Sequence, residues 1–130
     1  MNTDPTSLVD ILFHIKLTVI KSECFNSNDS YSAITLDGAN LKESRTSNIF
    51  IEQALITVTD LSKSKWIGLE TIELLCRYCN IANADWSGAR MMHTEFYNTR
   101  LTGCDFSSKN FATYCSIAAK LIYLYFITPS

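Results

Sequence analysis

Glycine and proline are scarce in this chain, with four Gly and two Pro in 130 residues. A Gly-rich phosphate-binding loop is therefore hard to build. Neither end carries the eighteen or more consecutive apolar residues of a membrane-spanning helix. Asp4 and Asp10 interrupt the start and no small-residue cleavage site follows an apolar core, so no secretory signal peptide is expected. Basic charge is not in excess either: 11 Lys and Arg stand against 13 Asp and Glu, a net charge of −2. Direct nucleic-acid binding through a basic surface is thus not expected. What remains is 47% apolar and only 18% charged, the composition of a globular chain whose length suits one domain.

The informative stretch runs from Cys79 to Phe111. Its units are Cys79-Asn80-Ile81-Ala82-Asn83, Ala84-Asp85-Trp86-Ser87-Gly88, Ala89-Arg90-Met91-Met92-His93, Thr94-Glu95-Phe96-Tyr97-Asn98, Thr99-Arg100-Leu101-Thr102-Gly103 and Cys104-Asp105-Phe106-Ser107-Ser108. Each opens on a small residue, follows with a polar one and centres on a large apolar one. Stepping by five from Leu36 to Phe111 keeps this phase through Leu41, Ile51, Ile56, Leu61, Trp66, Cys76, Ile81 and onward, with only Thr46 and Thr71 breaking the apolar column. The position two residues earlier is small, except at Ile34, Ile49, Leu69, Leu74 and Lys109. A period of five fits neither a helix nor a flat strand. It fits a coil that turns a corner after each unit, four units to a square turn of about twenty residues.

The pattern resembles the pentapeptide-repeat family, whose unit is roughly Ala, Asp or Asn, Leu or Phe, then two variable residues. The resemblance is clearest over residues 79–108 and degenerate, though in phase, from about residue 34. It implies an all-β solenoid, a right-handed quadrilateral β-helix of about four turns with capping segments at both ends. The expected organisation is an N-terminal cap and polar loop over 1–33, the coil over 34–116, and an apolar C-terminal cap or dimer segment over 117–130.

Stacked turns put residues twenty apart above one another, about 4.8 Å away. One inward column then reads Thr46, Trp66, Trp86, Phe106, an aromatic ladder. Before the coil, Ser7 or Thr6 suits a helix cap, with Leu8, Ile11, Leu12 and Ile15 on one face. Thr18-Val19-Ile20 equally suits a strand. Either element is expected to cover the first turn, since an open coil end exposes core and unpaired backbone. The apolar run Ala118–Ile127 is expected to cap the other end, and in related proteins such a segment also makes a two-fold contact, so a homodimer is implied.

The outward residues sort into four walls. The first carries Leu55, Val58, Leu75, Tyr78, Tyr97 and Ile117. The second carries Phe50, Ile72 and Met92 beside Glu52, Glu70, Glu73 and His93. The third holds Asn40, Asp60, Asn80, Arg100, Lys42 and Lys63, and the fourth runs from Arg45 and Lys65 to Asp85 and Asp105. An exposed apolar wall calls for a cover or a partner. Either a terminal segment folds over it, or Leu75, Tyr78 and Tyr97 anchor an interface.

Catalytic chemistry finds little support. Cys76-Arg77-Tyr78-Cys79 has zinc-type spacing but no second ligand pair, and the repeat phase turns both sulfurs inward. Five cysteines make an odd number, three of them at inward positions (Cys76, Cys79, Cys104), which reads as core thiols of a reducing cytoplasm. His14 and His93 lie far apart and outside any nucleophile motif; a Cys–His pair such as Cys115 with His93 is geometrically feasible but has no motif behind it. Asp85 and Asp105 stack one turn apart but suit a solvated wall better than acid–base work. No catalytic residue, cofactor or metal is expected.

The studied members that the resemblance points to are rod-shaped DNA mimics that bind DNA gyrase or topoisomerase IV through an acidic face. Here Arg77, Arg90 and Arg100 interrupt Asp60, Glu70, Glu73, Asp85, Glu95 and Asp105. The expectation is therefore broader: a non-enzymatic inhibitor or modulator of a nucleic-acid-processing protein, of phage or mobile-element type, with partial DNA mimicry. Its contact residues would be Leu55, Val58, Leu75, Tyr78, Tyr97, Asp60, Asp85 and Asp105. The alternative is a protein-interaction scaffold, such as an effector or immunity module, without mimicry.

Overall fold

The computed structural model describes residues 8–106. Within them the five-residue phase is a backbone phase. Every fifth residue from Asn28 to Gly103 has a positive φ, sixteen positions of which four are glycine. The residues between them are mostly extended, so each left-handed residue makes a corner and four corners close a turn. At Gly68 this conformation coincides with a close approach: a Cβ there would meet Asn48 Oδ1 at 2.8 Å.

The turns stack in parallel with a shift of twenty. Strands β2 (Ser30–Asp37), β4 (Phe50–Thr57), β6 (Glu70–Arg77) and β7 (Arg90–Tyr97) lie in that order, Ser30 opposite Phe50, Phe50 opposite Glu70, and Glu70 opposite Arg90. Each bends at its own corner residue (Ala33, Gln53, Glu73 or His93) and so lines both the second and the first wall. β3 (Arg45–Ser47) and β5 (Lys65–Ile67) pair on the fourth wall, extended by bridges from Lys65 to Asp85 and on to Asp105. The third wall is carried by bridges linking Asn40, Asp60, Asn80 and Arg100. The molecule is a parallel β-solenoid of about four turns. The pairing of β2 with β4 begins at Ser30, inside the stretch that reads as a polar loop.

The inward columns fill this square. Leu36, Leu41, Ile51, Ile56, Leu61, Trp66, Cys76, Ile81, Trp86, Met91, Phe96, Leu101 and Phe106 are buried, as is Thr71, whose hydroxyl lies 3.0 Å from that of Thr94. The aromatic ladder forms: Trp66 stacks on Trp86 at 5.8 Å and 19°, and Trp86 meets Phe106 edge-on at 5.8 Å. A buried indole needs an acceptor for its N–H. Trp66 Nε1 donates to Ser44 Oγ at 2.8 Å and Trp86 Nε1 to Ser64 Oγ at 2.9 Å, each a small-position serine twenty-two residues earlier.

The N-terminal segment contains both expected elements in succession, α1 (Leu8–Phe13) and β1 (Thr18–Val19). Their placement differs from the expectation that the segment simply covers the first turn. β1 does extend the sheet at its open edge, pairing with β2 at Ile34 and Thr35. Helix α1 instead lies along the side of the coil, burying Leu8 and Leu12 against Leu75 with Ile11, Ile15, Leu17 and Leu55 around them. The end of the coil is closed by Phe25, which follows the short 3-10 turn at Ser22–Cys24. Its ring reaches Trp66 at 5.4 Å and Tyr31 at 4.9 Å, occupying space that the small Thr46 leaves open in the aromatic column. Phe111, Ile117 and the C-terminal segment 117–130 lie outside the described residues.

Thr46 accepts this plug at a cost, because its Oγ1 is buried with no hydrogen-bond partner. Replacing a stranded hydroxyl by an apolar group of the same shape removes a desolvation penalty. Thr46→Val is expected to stabilise the protein by about 1 kcal/mol, read as a higher urea midpoint at unchanged slope.

Candidate functional site

The outward residues of the first wall divide into covered and open groups. Leu75 is 1% exposed beneath α1, and Leu55 is half-buried beside it. Neither is offered to a partner, which corrects their placement in an exposed apolar wall: the terminal segment folds over that part. Val58 (59% exposed), Tyr78 (53%) and Tyr97 (42%) remain open at the corner between the first and third walls. The tyrosine rings meet edge-on at 5.8 Å and 86°. Val9 and Phe13 on the outer face of α1 extend the open apolar surface, and Phe13 stands over the Arg77 guanidinium at 6.0 Å. Their part escapes the periodicity, because the coil phase says nothing of where a helix will lie.

Two depressions flank Tyr78. The one toward α1 is lined by Val9, Leu75, Arg77, Glu95 and Tyr97, and Arg77 Nε is buried nearby without a partner. The other, on the third-wall side, is lined by Val58, Asp60, Cys79, Asn80, Asn98 and Arg100. Asp60 thus belongs to the same corner as the exposed apolar residues. Its Oδ1 accepts from Ser62 N at 2.9 Å and Ser62 Oγ at 2.6 Å. Burial raises its pKa, but those two hydrogen bonds and the Lys42 charge outweigh that and hold the carboxyl below its ordinary value.

Asp85 and Asp105 stand elsewhere. The chain passes from second wall to first, third and fourth, so the fourth wall lies across the coil from the first. Asp85 Oδ1 accepts from Ser87 N at 3.1 Å and Ser87 Oγ at 2.8 Å, and its Oδ2 is 3.8 Å from Lys65 Nζ. These two carboxylates therefore cannot form an acidic margin to the apolar corner. Carboxylates of the second wall are also engaged, Glu70 with Arg90 at 2.7 Å and Glu73 with His93 at 3.9 Å.

Among the described residues, no cluster of three His, Cys, Asp or Glu is placed to hold a metal, and no helix is long and apolar enough to cross a membrane. Cys115 lies outside the described residues, so its pairing with His93 is not addressed by the structure.

The open corner is also strained. Val58 and Tyr78 have φ of 49° and 56°, in the column where the other turns place Gly38 and Asn98. A β-branched residue in left-handed backbone is an outlier. Val58→Asn is expected to raise stability by about 1 kcal/mol by relieving it, measured as the shift in urea midpoint. At Asp60 the consequence concerns pH. A carboxyl whose folded pKa lies below its unfolded value of 3.8 stabilises the fold above that value, and the contribution is lost as pH falls through the folded pKa. Asp60→Asn keeps the turn, as Asn40 and Asn80 do with acceptor distances of 3.0 Å. It should flatten the acid-side fall in urea midpoint between about pH 5 and about pH 2 relative to the parent protein.

Comparison with known proteins bears on the same coil. Residues 75–107 match the family model described as pentapeptide repeats. No curated protein matches the chain. Among solved structures, two trypsin-treated variants of QnrB1, a plasmid-mediated fluoroquinolone resistance protein, are similar. One shares 22% identity over 68% of this chain and 52% of that one, with a TM-score of 0.34. The other shares 13% over 68% of this chain and 65% of that one, with a TM-score of 0.29. The chain therefore spans between about half and two thirds of the length of these structures. The coil thus carries pentapeptide repeats over residues 75–107, and the same corner geometry continues back to Asn28.

Proposed function

We propose that this protein is a non-enzymatic protein-binding module that modulates its target by docking through the corner formed by Val58, Tyr78 and Tyr97, with Val9 and Phe13 of α1 beside it. The observation that carries this reading is the pairing of exposure with strain. Two bulky side chains are held in left-handed backbone at a position where glycine and asparagine serve the fold in the neighbouring turns. Strain kept at an exposed site points to a role for the side chain beyond folding. Tyrosines on a rigid frame also make strong anchors, because little conformational entropy is lost when they bind.

The family resemblance adds a target class, a nucleic-acid-processing protein whose site the module would occupy. Charge mimicry of DNA is the less favoured mechanism. Asp85 and Asp105 are on the wall opposite the apolar corner, and Lys65, Arg90 and His93 lie against stacked carboxylates. Apolar docking in a cytoplasmic setting is the version we adopt; the use of Cys76 and Cys79 as buried core side chains suits a reducing compartment.

The test is affinity capture of the intact protein from its own host lysate, with the captured proteins identified by mass spectrometry at low and high salt. Val58→Asn with Tyr78→Asn should lose the partner although the coil is no less stable. Asp85→Lys with Asp105→Lys should keep it, and capture should survive high salt. Loss of a salt-sensitive partner in the charge-reversed protein alone would overturn apolar docking in favour of mimicry.

A further inference from the structure

Cys76 and Cys79 stand on either side of the Tyr78 corner, and both are turned into the coil. They are three residues apart, and both side chains are buried in the narrow interior on adjoining sides of that corner. In its column Cys79 stands between Thr59 of the turn below and Thr99 of the turn above, with Ala39 beyond Thr59. Thr59 Oγ1 donates to Thr57 O and Thr99 Oγ1 to Tyr97 O, both at 3.0 Å. Cys79 Sγ makes the equivalent contact to Arg77 O at 3.4 Å and another to Ile56 O at 3.4 Å. A hydroxyl does this backbone work at closer range in the turns above and below, so packing alone gives no reason for sulfur here. Cys76 is likewise the smallest member of its column, between Ile56 and Phe96. Cys79 is 4% exposed and lines the depression on the third-wall side of Tyr78, while Cys76 is fully enclosed.

We infer that Cys76 and Cys79 form a peroxide-reactive dithiol, in which Cys79 attacks, Cys76 resolves, and the product is a disulfide across the Tyr78 corner. The Cys79 thiolate attacks one oxygen of a hydroperoxide and the O–O bond breaks. The departing hydroxide takes up a proton to become water, leaving a sulfenic acid on Cys79. The Cys76 sulfur then attacks Cys79 Sγ; the S–S bond forms, the S–O bond breaks, and the hydroxyl leaves as a second water with the Cys76 proton. Two thiols have lost two electrons and two protons, and one hydrogen peroxide has become two waters.

The electrostatics run in the same direction. The neighbouring Cys76 thiol holds Cys79 below its ordinary value against the effect of burial, while the Cys79 thiol and burial push Cys76 up. Cys104 shows the contrast. Burial pushes it up to about 12, and its Sγ donates to Ile81 O at 2.7 Å.

The sequence provides a direct readout, because Arg77 lies between the two thiols. Trypsin places Cys76 on the peptide Trp66–Arg77 and Cys79 on the peptide Tyr78–Arg90, one cysteine each. The intact protein is reduced, exposed to hydrogen peroxide, alkylated and digested. The expected product is these two peptides joined, two hydrogens lighter than their sum and parted by dithiothreitol. Cys79→Thr restores the donor found in the neighbouring turns, and should fold with an unchanged circular-dichroism spectrum and give no joined product. Recovery of Cys79 as sulfinic or sulfonic acid without the link would overturn the inference. So would recovery of both thiols alkylated under conditions that oxidise the exposed Cys24.

Discussion

Sixteen successive corners, five residues apart, hold positive φ, and twelve of them carry a Cβ that this backbone region disfavours by about 1–2 kcal/mol each. A chain persists in such a conformation only where the surroundings over-determine it. Here they do so in two ways. Each side turns a large and a small side chain inward, so moving one corner would pull two groups out of a close-packed core. The backbone is also tied in both directions along the stack: Asn80 N donates to Thr59 O of the turn below, and Ile81 N donates to Arg100 O of the turn above. A corner residue cannot relax without breaking bonds to a neighbouring turn.

Much of the side-chain chemistry follows from this geometry. Because the shift between turns is fixed at twenty, polar groups meet their partners at fixed offsets. Asn48 Nδ2 donates to Asn28 Oδ1 at 3.3 Å, Gln53 Nε2 to Glu73 Oε1 at 3.0 Å, and Arg90 reaches Glu70. The tryptophans use an offset of twenty-two, since an indole on one side leans toward the small position of the turn before. Such exposed ion pairs contribute little to stability. Their consequence is rather to leave few unopposed carboxylates on the second and fourth walls.

The inward columns were legible in the sequence because volume repeats there: a coil of this width needs one large and one small residue per side. The corners were not, because left-handed backbone is served by Asn and Gly at some turns and by Glu43, Lys63 or Gln53 at others, with no shared side-chain property to detect. Phe25 is out of phase with the column it closes and carried no periodic signal. The serine partners of Trp66 and Trp86 did carry one, an offset of twenty-two between a small hydroxyl and an indole. Of the site, Val58, Tyr78, Tyr97 and Asp60 were found together because they share adjoining walls. Leu75 was placed on the correct wall, yet its exposure depended on α1, whose resting place the repeat does not encode. Asp85 and Asp105 were placed on their own wall correctly; what the one-dimensional reading lacked was that this wall faces away from the apolar one.

A square coil displays four surfaces that cannot reorganise independently, and it can therefore present different chemistry on each without compromise. The first wall spends most of its apolar residues on binding α1, so its exposed remainder is confined to one corner. Covering Leu75 and Leu55 while leaving Val58, Tyr78 and Tyr97 open is not what burial alone would select, since Tyr78 and Tyr97 already touch edge-on and would pack readily under a longer helix. Val58 and Tyr78 also hold left-handed backbone, where asparagine or glycine would be softer on the chain and more soluble. An aromatic surface kept open at a strained, immobile turn meets a partner with little entropy left to lose. That is the physical difference between this corner and the solvated walls around it.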